Sequence, residues 1–233
     1  MVNSLANDAL FFGGGLMEIV KMKAGEITGD TVTHLSNILE DGGVICLPCN
    51  GKYRLLADVT NQDAVMRLMQ SKRRVKKAPS LVFIDHYSKL HLVTNRVDPV
   101  ASALMKSFWP GPLTILFDAN PDLPRKVVKE LTKANGRIGV RVPQSGLCRQ
   151  VVEAFGGPVL VSSANRGRRA GATSPAQVRQ NFLGRIDYFV DAGDLTQGPK
   201  STVIDVENNG IEMVREGAVS AEKLDEVARS AAN

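Results

Sequence analysis

Residues 31–48 read TVTHLSNILEDGGVICLP, which is a helical pattern followed by a short apolar run. Apolar side chains at helical spacing predict a helix over Thr31–Glu40. Gly42-Gly43 is typical of the end of a helix, because glycine adopts the left-handed conformation of a C-terminal cap. The apolar run over 44–47 then predicts a buried strand. A helix that leads directly into a strand is typical of α/β domains.

The same alternation of strand-like and helix-like segments continues towards the C-terminus. No internal repeat or low-complexity linker interrupts it. It predicts a single α/β domain. Further helices are predicted after Asn61 and over Pro99–Phe108, Leu147–Phe155 and Pro175–Leu183, and further strands over Ser80–Ile84, Leu113–Phe117, Gly139–Val142, Val159–Val161 and Ser201–Val206.

The composition is that of a chain that folds in water. Its 233 residues are 43% hydrophobic and 23% charged, which excludes a disordered chain, a coiled coil and a collagen. No run approaches the roughly 18 apolar residues that a membrane span needs, so no membrane partner is expected. The N-terminus has no Lys or Arg before Lys21 and carries Asp8, which is wrong for a secretory signal. We therefore expect a cytoplasmic protein.

The three cysteines, Cys46, Cys49 and Cys148, are too few for a disulfide framework. Their scarcity favours a reducing compartment. Cys46 and Cys49 fit the C-x-x-C spacing of redox and zinc sites, but no second pair and no histidine at finger spacing accompanies them. Core or rim positions are the simpler interpretation, and no metal site is predicted.

The net charge of +5 is concentrated in two basic clusters. The first, at 72–77, has five cations in six residues, and the second consists of Arg166, Arg168 and Arg169. This excess of positive charge favours a phosphate-bearing ligand or a polyanionic partner. For either cluster alone a solvated surface is the simpler interpretation. Because both stand beside turns rich in Gly, Ser and Asn, the pair together favours phosphate binding.

Four irregular stretches stand at strand ends, where ligands bind in open α/β sheets. One is the basic run at 72–77. In a second, a buried strand runs into Ser163 and Asn165, whose small polar side chains suit a nucleotide, although an Asx or Ser/Thr turn explains them equally well. The third is WPGPLT at 109–114, and the fourth combines GPKSTV at 198–203 with Arg215. The motifs of P-loop NTPases, dehydrogenases, serine hydrolases and zinc proteases do not occur.

Taken in this order, the stretches resemble the YrdC/Sua5/YciO family over about residues 42–219. Each motif is modest, but their colinear order is specific. The resemblance rests on Pro48, Lys-x-Arg at 72–74 followed by Pro79, Trp-Pro-Gly-Pro-Leu-Thr at 109–114, Val-Arg-Val-Pro at 140–143, Ser-Ala-Asn at 163–165, Ser-Thr-Val-Ile-Asp at 201–205 and Arg-Glu-Gly at 215–217.

The resemblance implies a twisted, open mixed sheet with flanking helices and a basic concave cleft, in a YrdC-like domain at 26–221. Residues 1–25 would be an N-terminal extension and 222–233 a C-terminal tail. The implied activity is ATP-dependent synthesis of threonylcarbamoyl-AMP from L-threonine and bicarbonate, with Mg²⁺ accompanying ATP. A tRNA-modifying transferase would then use the product to form N6-threonylcarbamoyladenosine in tRNA.

The resemblance also implies roles for individual residues of this chain. Lys72 and Arg74 would be catalytic, because cations must neutralise the triphosphate and the pyrophosphate leaving group and could also hold bicarbonate. The residues expected to bind the nucleotide are Thr114, Ser163, Asn165, Thr173 and Arg215. The residues expected to bind the amino acid are Gly51, Arg141, Ser201 and Thr202.

The first substrate motif departs from the family pattern. Family members usually read Pro-Thr-Asp-Thr-x-Tyr-Gly-Leu, where this chain has PCNGKYRL at 48–55. Both threonines and the acid are missing, and Arg54 replaces a glycine. In addition, Ala78 stands where Lys or Asn is common, Phe83 where a histidine is often found, and Ser145 where a histidine is usual. Residues on the nucleotide side are mostly retained, and those on the amino-acid side are mostly changed.

These departures leave alternatives open. The chain is either an adenylating enzyme, for threonine or for a different acceptor, or a non-catalytic or regulatory member whose basic face binds tRNA or double-stranded RNA. A nucleotide-binding scaffold is the third possibility. Loss of the threonine-side hydroxyls weighs against an enzyme for threonine, because each hydrogen bond removed is worth roughly 1 kcal/mol.

Overall fold

The structure is a computed structural model that describes residues 7–12, 15–22, 27–72, 80–132, 136–166, 172–207 and 210–231. Its strands are β1 (Asn7–Phe12), β2 (Gly15–Lys21), β3 (Ile45–Cys49), β4 (Lys52–Asp58), β5 (Ser80–Phe83), β6 (Leu113–Asp118), β7 (Arg137–Arg141), β8 (Val159–Ser163), β9 (Tyr188–Asp191), β10 (Thr202–Glu207) and β11 (Gly210–Arg215). Its helices are α1 (Gly29–Glu40), α2 (Gln62–Lys72), α3 (Pro99–Phe108), α4 (Arg125–Leu131), α5 (Gly146–Phe155), α6 (Pro175–Phe182) and α7 (Ala221–Ala231), with a 3₁₀ helix at Tyr87–Leu92.

In these ranges eleven strands form one mixed sheet in the order β1-β2-β9-β3-β4-β8-β5-β7-β6-β10-β11. β4 pairs antiparallel with β3 and with β8, whereas β5 with β7 and β6 with β10 are parallel pairs. The predicted α/β domain with a mixed sheet and flanking helices is confirmed.

Two apolar cores lie on the two faces of this sheet, because successive side chains along a strand point to opposite faces. On β4, Leu55 belongs to one core and Leu56 to the other. The larger core includes residues of α2, α3, α4, α6 and α7, and the smaller one residues of α1 and α5. No described residue of β6, β7, β10 or β11 belongs to the smaller core. On that face, therefore, this half of the sheet lies outside the core formed by α1 and α5.

Two cap signals read from the sequence are confirmed. Gly42 has φ +77°, the left-handed conformation expected after α1. Asn61 Oδ1 accepts a hydrogen bond from the Ala64 backbone N–H at 3.1 Å and so caps α2. The helix over Pro99–Phe108 has the predicted bounds.

The described parts of both terminal segments, which were expected to be an extension at 1–25 and a tail at 222–233, contribute to the fold. β2 pairs in parallel with β9 and so extends the sheet. α7 covers most of the expected tail and packs against α3, with Leu224 fully buried. The sequence of this segment shows no motif, and the apolar side of α7 finds its partner only in the folded chain. In the described ranges no helix is long and apolar enough to cross a membrane.

Tyr53 joins β4 to the loop that follows β9. Its hydroxyl donates to the Gly193 carbonyl at 2.7 Å and accepts from the Ala192 backbone N–H at 3.0 Å. The residue is fully buried. We expect Tyr53→Phe to lower the free energy of unfolding by about 1–3 kcal/mol, because two backbone groups lose their partner.

Urea denaturation measures this loss directly. Tyr87→Phe is the matched control, since Tyr87 is 42% exposed. A Tyr53→Phe protein as stable as the Tyr87→Phe protein would contradict the assigned role of the hydroxyl.

Candidate active site

Lys72, the last residue of α2, is buried against the end of β8 and is only 6% exposed. Its Nζ donates hydrogen bonds to Ser162 Oγ, to the Ser163 carbonyl oxygen and, at 3.3 Å, to Asn165 Oδ1. Ser163 Oγ also donates to Asn165 Oδ1. The structure therefore brings together three residues predicted from the sequence, Lys72, Ser163 and Asn165.

A second group joins β6, β10 and β11. Thr114 Oγ1 and Ser201 Oγ are 3.2 Å apart, within hydrogen-bond distance. Arg215 Nη2 donates to the Ser201 carbonyl oxygen at 2.7 Å and to Ser201 Oγ at 3.0 Å, while Nε donates to the same carbonyl at 3.1 Å. Three more of the predicted residues are therefore neighbours, and Ser201 fixes the orientation of the arginine.

Thr202 has a structural position. It is fully buried, and its hydroxyl donates to the Val219 carbonyl at 2.7 Å and accepts from the Val219 N–H at 2.9 Å. The donor and one of the two acceptor lone pairs of the hydroxyl are thus used by one backbone residue. The hydroxyl stabilises the turn after β11, and the expected contact of Thr202 with the amino acid remains a prediction.

Thr173 precedes the N-terminus of α6. Its backbone N–H donates to Gln177 Oε1 at 2.9 Å, and its carbonyl accepts from the Leu195 N–H at 2.8 Å. These contacts connect it to the helix cap and to the loop after β9. No hydrogen bond in the described ranges joins it to Ser163 or Asn165, so its expected contact with the nucleotide remains a prediction.

The turn between β3 and β4 supports the loop at 194–200. Asn50 and Gly51 both have left-handed φ values, +51° and +70°. Asn50 Nδ2 donates to the Pro199 carbonyl at 3.0 Å. A Cβ on Gly51 would lie 2.0 Å from the Thr196 carbonyl oxygen. The predicted substrate residue Gly51 is therefore required for close packing of the loop, and it has no side chain to bind a ligand.

Arg141, at the end of β7, is 8% exposed and has its guanidinium 5.8 Å from the centre of the Phe83 ring. Its buried Nε has no hydrogen-bond partner in the described ranges. Burial lowers the pKa of Arg141, while the neighbouring thiols Cys49 and Cys148 act in the opposite direction. An arginine with an unpaired buried nitrogen is suited to bind an anionic group.

Cys49 and Cys148 form a thiol pair between β3 and α5. A hydrogen bond from Cys148 lowers the pKa of Cys49, and the charges of Arg54 and Arg141 act in the same direction. The same hydrogen bond, with burial, raises the pKa of Cys148 well above its usual range. Cys49 is therefore the thiol that ionises first.

The C-x-x-C spacing does not form a pair. Cys46 belongs to the larger core, whereas Cys49 packs against the smaller one. The two thiols lie on opposite faces of β3, because positions three apart along a strand differ in face. The partner of Cys49 is distant in sequence, and no signal in the sequence predicts it.

We expect Cys49 to react with iodoacetamide at a lower pH than an ordinary thiol. The rate should rise with pH around an apparent pKa lower than that of an ordinary thiol, because hydrogen bonding and nearby arginines stabilise the thiolate. Cys148→Ala should raise that apparent pKa by removing the donor. Peptide mass spectrometry across pH separates Cys49 from the fully buried Cys46. An unchanged apparent pKa in Cys148→Ala would contradict the thiol pair.

Some of the predicted basic residues lie outside the described ranges. These include Arg74, with the rest of the run at 73–77, and Arg168 and Arg169. In contrast, Ser162, Arg54 and Cys148 are site contacts that were not predicted as site residues. For Ser162, the Ser-Ser pair after the apolar strand was a signal in the sequence. For Arg54, the signal was the departure from the family motif. Cys148 is visible as a site residue only in the structure.

A comparison with family descriptions matches residues 37–217 to the Sua5/YciO/YrdC domain, described as "Telomere recombination". The match covers most of the chain. The fold and the grouped site residues agree with this assignment, and the chain belongs to the Sua5/YciO/YrdC family.

Two curated relatives carry the name threonylcarbamoyl-AMP synthase. The Pyrococcus abyssi protein is 27% identical over 192 residues, covering 82% of this chain and 55% of the relative. The Bacillus subtilis protein is 28% identical over 196 residues, covering 84% of this chain and 56% of the relative. The chain thus spans little more than half the length of these relatives.

Two solved structures are similar across most of the chain. P. abyssi Sua5 complexed with L-threonine has a TM-score of 0.77 at 26% identity and covers 90% of this chain and 60% of that one. Escherichia coli YciO has a TM-score of 0.73 at 25% identity and covers 88% of this chain and 98% of that one. The fold is thus shared with a threonine-bound protein and with one of similar size.

Proposed function

We propose that the chain is an adenylating enzyme that makes threonylcarbamoyl-AMP, or a close analogue, from an amino acid, bicarbonate and ATP. The amine and bicarbonate condense to a carbamate with loss of water. A carbamate oxygen then attacks the α-phosphorus of ATP, and the bond to the β-phosphate oxygen breaks. The products are a mixed anhydride with AMP and pyrophosphate. The names of the relatives support this reaction class.

The observation that carries the proposal is the burial of Lys72 among Ser162, Ser163 and Asn165. A cation held by neutral oxygens at the end of β8 is suited to compensate the charge that builds up on the phosphates. Arg215, oriented by Ser201, would supply a second cation. Positioning and charge compensation suffice for a reaction of this kind, without a covalent intermediate on the protein.

Mg²⁺ would enter with the nucleotide. In the described ranges no three His, Cys, Asp or Glu side chains come together to hold a metal ion. The proposed steps therefore use only the cationic side chains. Bicarbonate would bind near Lys72, with Arg74 as the second cation expected from the sequence.

The experiment is an assay of pyrophosphate release with ATP, Mg²⁺ and bicarbonate, run across the amino acids. Release that requires both bicarbonate and an amino acid, with AMP recovered in an acid-labile adduct, is the expected result. ATP binding without release for any amino acid would contradict the enzymatic function. Identification of the adduct by mass spectrometry shows whether threonine is the acceptor.

A second candidate function is binding of tRNA or double-stranded RNA on the same face. The grouping of Arg54, Arg141 and Arg215 favours it, because clustered cations attract polyanions. RNA binding of this kind should weaken steeply between 50 and 200 mM salt, by roughly 10³ or more if several phosphates are contacted. A salt titration therefore tests it. A tRNA-modifying transferase would be the partner if the adenylate is made, and the cytoplasm the compartment.

A further inference from the structure

Three hydrogen bonds hold the Arg215 guanidinium, and all of them end on Ser201. Nε and Nη2 donate to the Ser201 carbonyl oxygen at 3.1 Å and 2.7 Å, and Nη2 also donates to Ser201 Oγ at 3.0 Å. Arg215 itself is exposed, and in the described ranges no Asp or Glu forms an ion pair with it. Because an exposed arginine has many rotamers of similar energy, its direction depends on the acceptors that Ser201 offers.

The two acceptors on Ser201 are fixed in different ways. The carbonyl is followed by a backbone hydrogen bond, in which the Thr202 N–H donates to the Pro112 carbonyl at 2.9 Å. The hydroxyl can rotate about the Cα–Cβ bond. Besides Arg215, its hydrogen-bond partner in the described ranges is Thr114 Oγ1, at 3.2 Å. Ser201 and Thr114 are both more than nine-tenths buried, so the contact between the two hydroxyls is shielded from water.

Thr114 faces Ser201 because its methyl group lies beside Gly139. A threonine carries its hydroxyl and its methyl group on the same Cβ, so the place of one fixes the direction of the other. Gly139 pairs with Leu116 on β6, two residues from Thr114 and therefore on the same face of the sheet. A Cβ built on Gly139 would lie 3.0 Å from Thr114 Cγ2, closer than the roughly 3.5–4.0 Å at which carbon atoms pack.

The glycine at 139 is explained by this space and not by its backbone conformation. Gly139 is not among the described glycines with a positive φ, so a residue with a side chain could adopt its backbone. Glycine inside a strand weakens the sheet, and it often marks a close approach. Here the group that approaches is the Thr114 methyl group.

We propose that Gly139 and Thr114 are positioning residues that act on Arg215 through Ser201. The missing side chain at 139 makes room for the Thr114 methyl group, which directs the Thr114 hydroxyl to Ser201 Oγ. Ser201 Oγ is thereby kept in place as an acceptor for Arg215. This inference rests on the proposed function, in which Arg215 supplies the second cation at the phosphates. Thr114 then acts through its neighbours instead of contacting the nucleotide.

The first test needs no ligand. Thr114→Val removes the hydroxyl and keeps the shape of the side chain, whereas Thr114→Ser keeps the hydroxyl. NMR measures the rate at which the Arg215 Nε–H exchanges with water, and the signal is assigned by its absence in Arg215→Gln. We expect exchange at least about threefold faster in Thr114→Val and in Gly139→Ala, because the guanidinium leaves Ser201 more often. Thr114→Ser should stay within about twofold of the unmodified protein.

The second test is the affinity for a non-reactive ATP analogue, measured by isothermal titration calorimetry with Mg²⁺. Thr114→Val and Gly139→Ala should each bind the analogue about three- to tenfold more weakly, a loss of the size that one hydrogen bond accounts for. In an Arg215→Gln background the same substitutions should cause no further loss beyond about twofold, because positioning matters only when the arginine is present.

Matched substitutions elsewhere in the chain control for stability. Thr132→Val removes a hydroxyl that donates to the Val128 carbonyl at 2.7 Å, and Gly29→Ala adds a Cβ that meets nothing within 4 Å. Both should leave the exchange of the Arg215 Nε–H and the affinity for the analogue unchanged. Circular dichroism confirms that each variant is folded.

The outcomes separate this inference from the proposed function. Unchanged exchange in Thr114→Val or Gly139→Ala, or unchanged affinity for an analogue that the unmodified protein binds, overturns the inference. A loss of affinity that persists in the Arg215→Gln background also overturns it, because Thr114 would then contact the nucleotide itself. Pyrophosphate release by a protein with either result retains the proposed function. Faster exchange in the variants of a protein that does not bind the ATP analogue retains the positioning and overturns the proposed function.

Discussion

Lys72→Ala is expected to lower the rate of pyrophosphate release by at least about 100-fold, the range found when a preorganised donor to a transition state is removed. Lys72 Nζ is held by the Ser163 carbonyl and by Asn165 Oδ1, so its ammonium group occupies a defined place beside two residues that are expected to bind the nucleotide. Without the Lys72 ammonium group, the negative charge that develops on the phosphates loses this buried cation. The measurement is kcat and KM for ATP in the coupled pyrophosphate assay.

The matched control is Lys89→Ala. Lys89 Nζ also donates to a backbone carbonyl, that of Gly156, at 3.1 Å. Removal of either lysine frees one carbonyl, but only Lys72 adjoins the end of β8. If the Lys72→Ala enzyme kept its rate within about threefold of the Lys89→Ala enzyme, the placing of Lys72 in the active site would be refuted.

Gly51→Ala is expected to lower the free energy of unfolding by about 2–5 kcal/mol. The left-handed backbone, with φ +70°, costs alanine about 1–2 kcal/mol. The added Cβ would lie 2.0 Å from the Thr196 carbonyl oxygen and 2.5 Å from the Gly198 nitrogen, and such overpacking costs about 1–3 kcal/mol. Because both neighbours are backbone atoms, the loop must move. Urea denaturation measures the loss, and hydrogen exchange at 194–200 locates it.

Gly156→Ala separates the two contributions. Gly156 has φ +68°, but a Cβ there would meet nothing within 4 Å. It should therefore show the backbone cost alone. Equal losses of stability in the two variants, with unchanged exchange in the loop, would mean that the turn between β3 and β4 does not support the loop.

The same hairpin packs against the loop through Asn50 and Gly51 and carries the arginine that distinguishes this chain from the family pattern. A substitution at Gly51 should therefore disturb the loop at 194–200 as well as stability.

Much of the fold could be predicted from local patterns. The periodicity of 31–47 and 99–108, with Gly42 and Asn61 as caps, indicated elements that are present, because those signals lie within one element. β4 was not predicted, since its pattern KYRLLAD does not alternate and both of its faces are covered. α7 was not predicted as part of the fold, because its apolar side is explained only by contact with α3.

The sequence by itself determined the family, the order of its motifs and the residues that could carry charge or hydroxyl groups near a phosphate. Only the tertiary structure decided which of them meet. It placed Lys72 with Ser163, paired Cys49 with Cys148, turned the Thr202 hydroxyl to Val219 and left Arg141 Nε unpaired. The reason is physical: hydrogen bonds and charge effects depend on distances between strands and helices far apart in the chain, which local patterns do not specify.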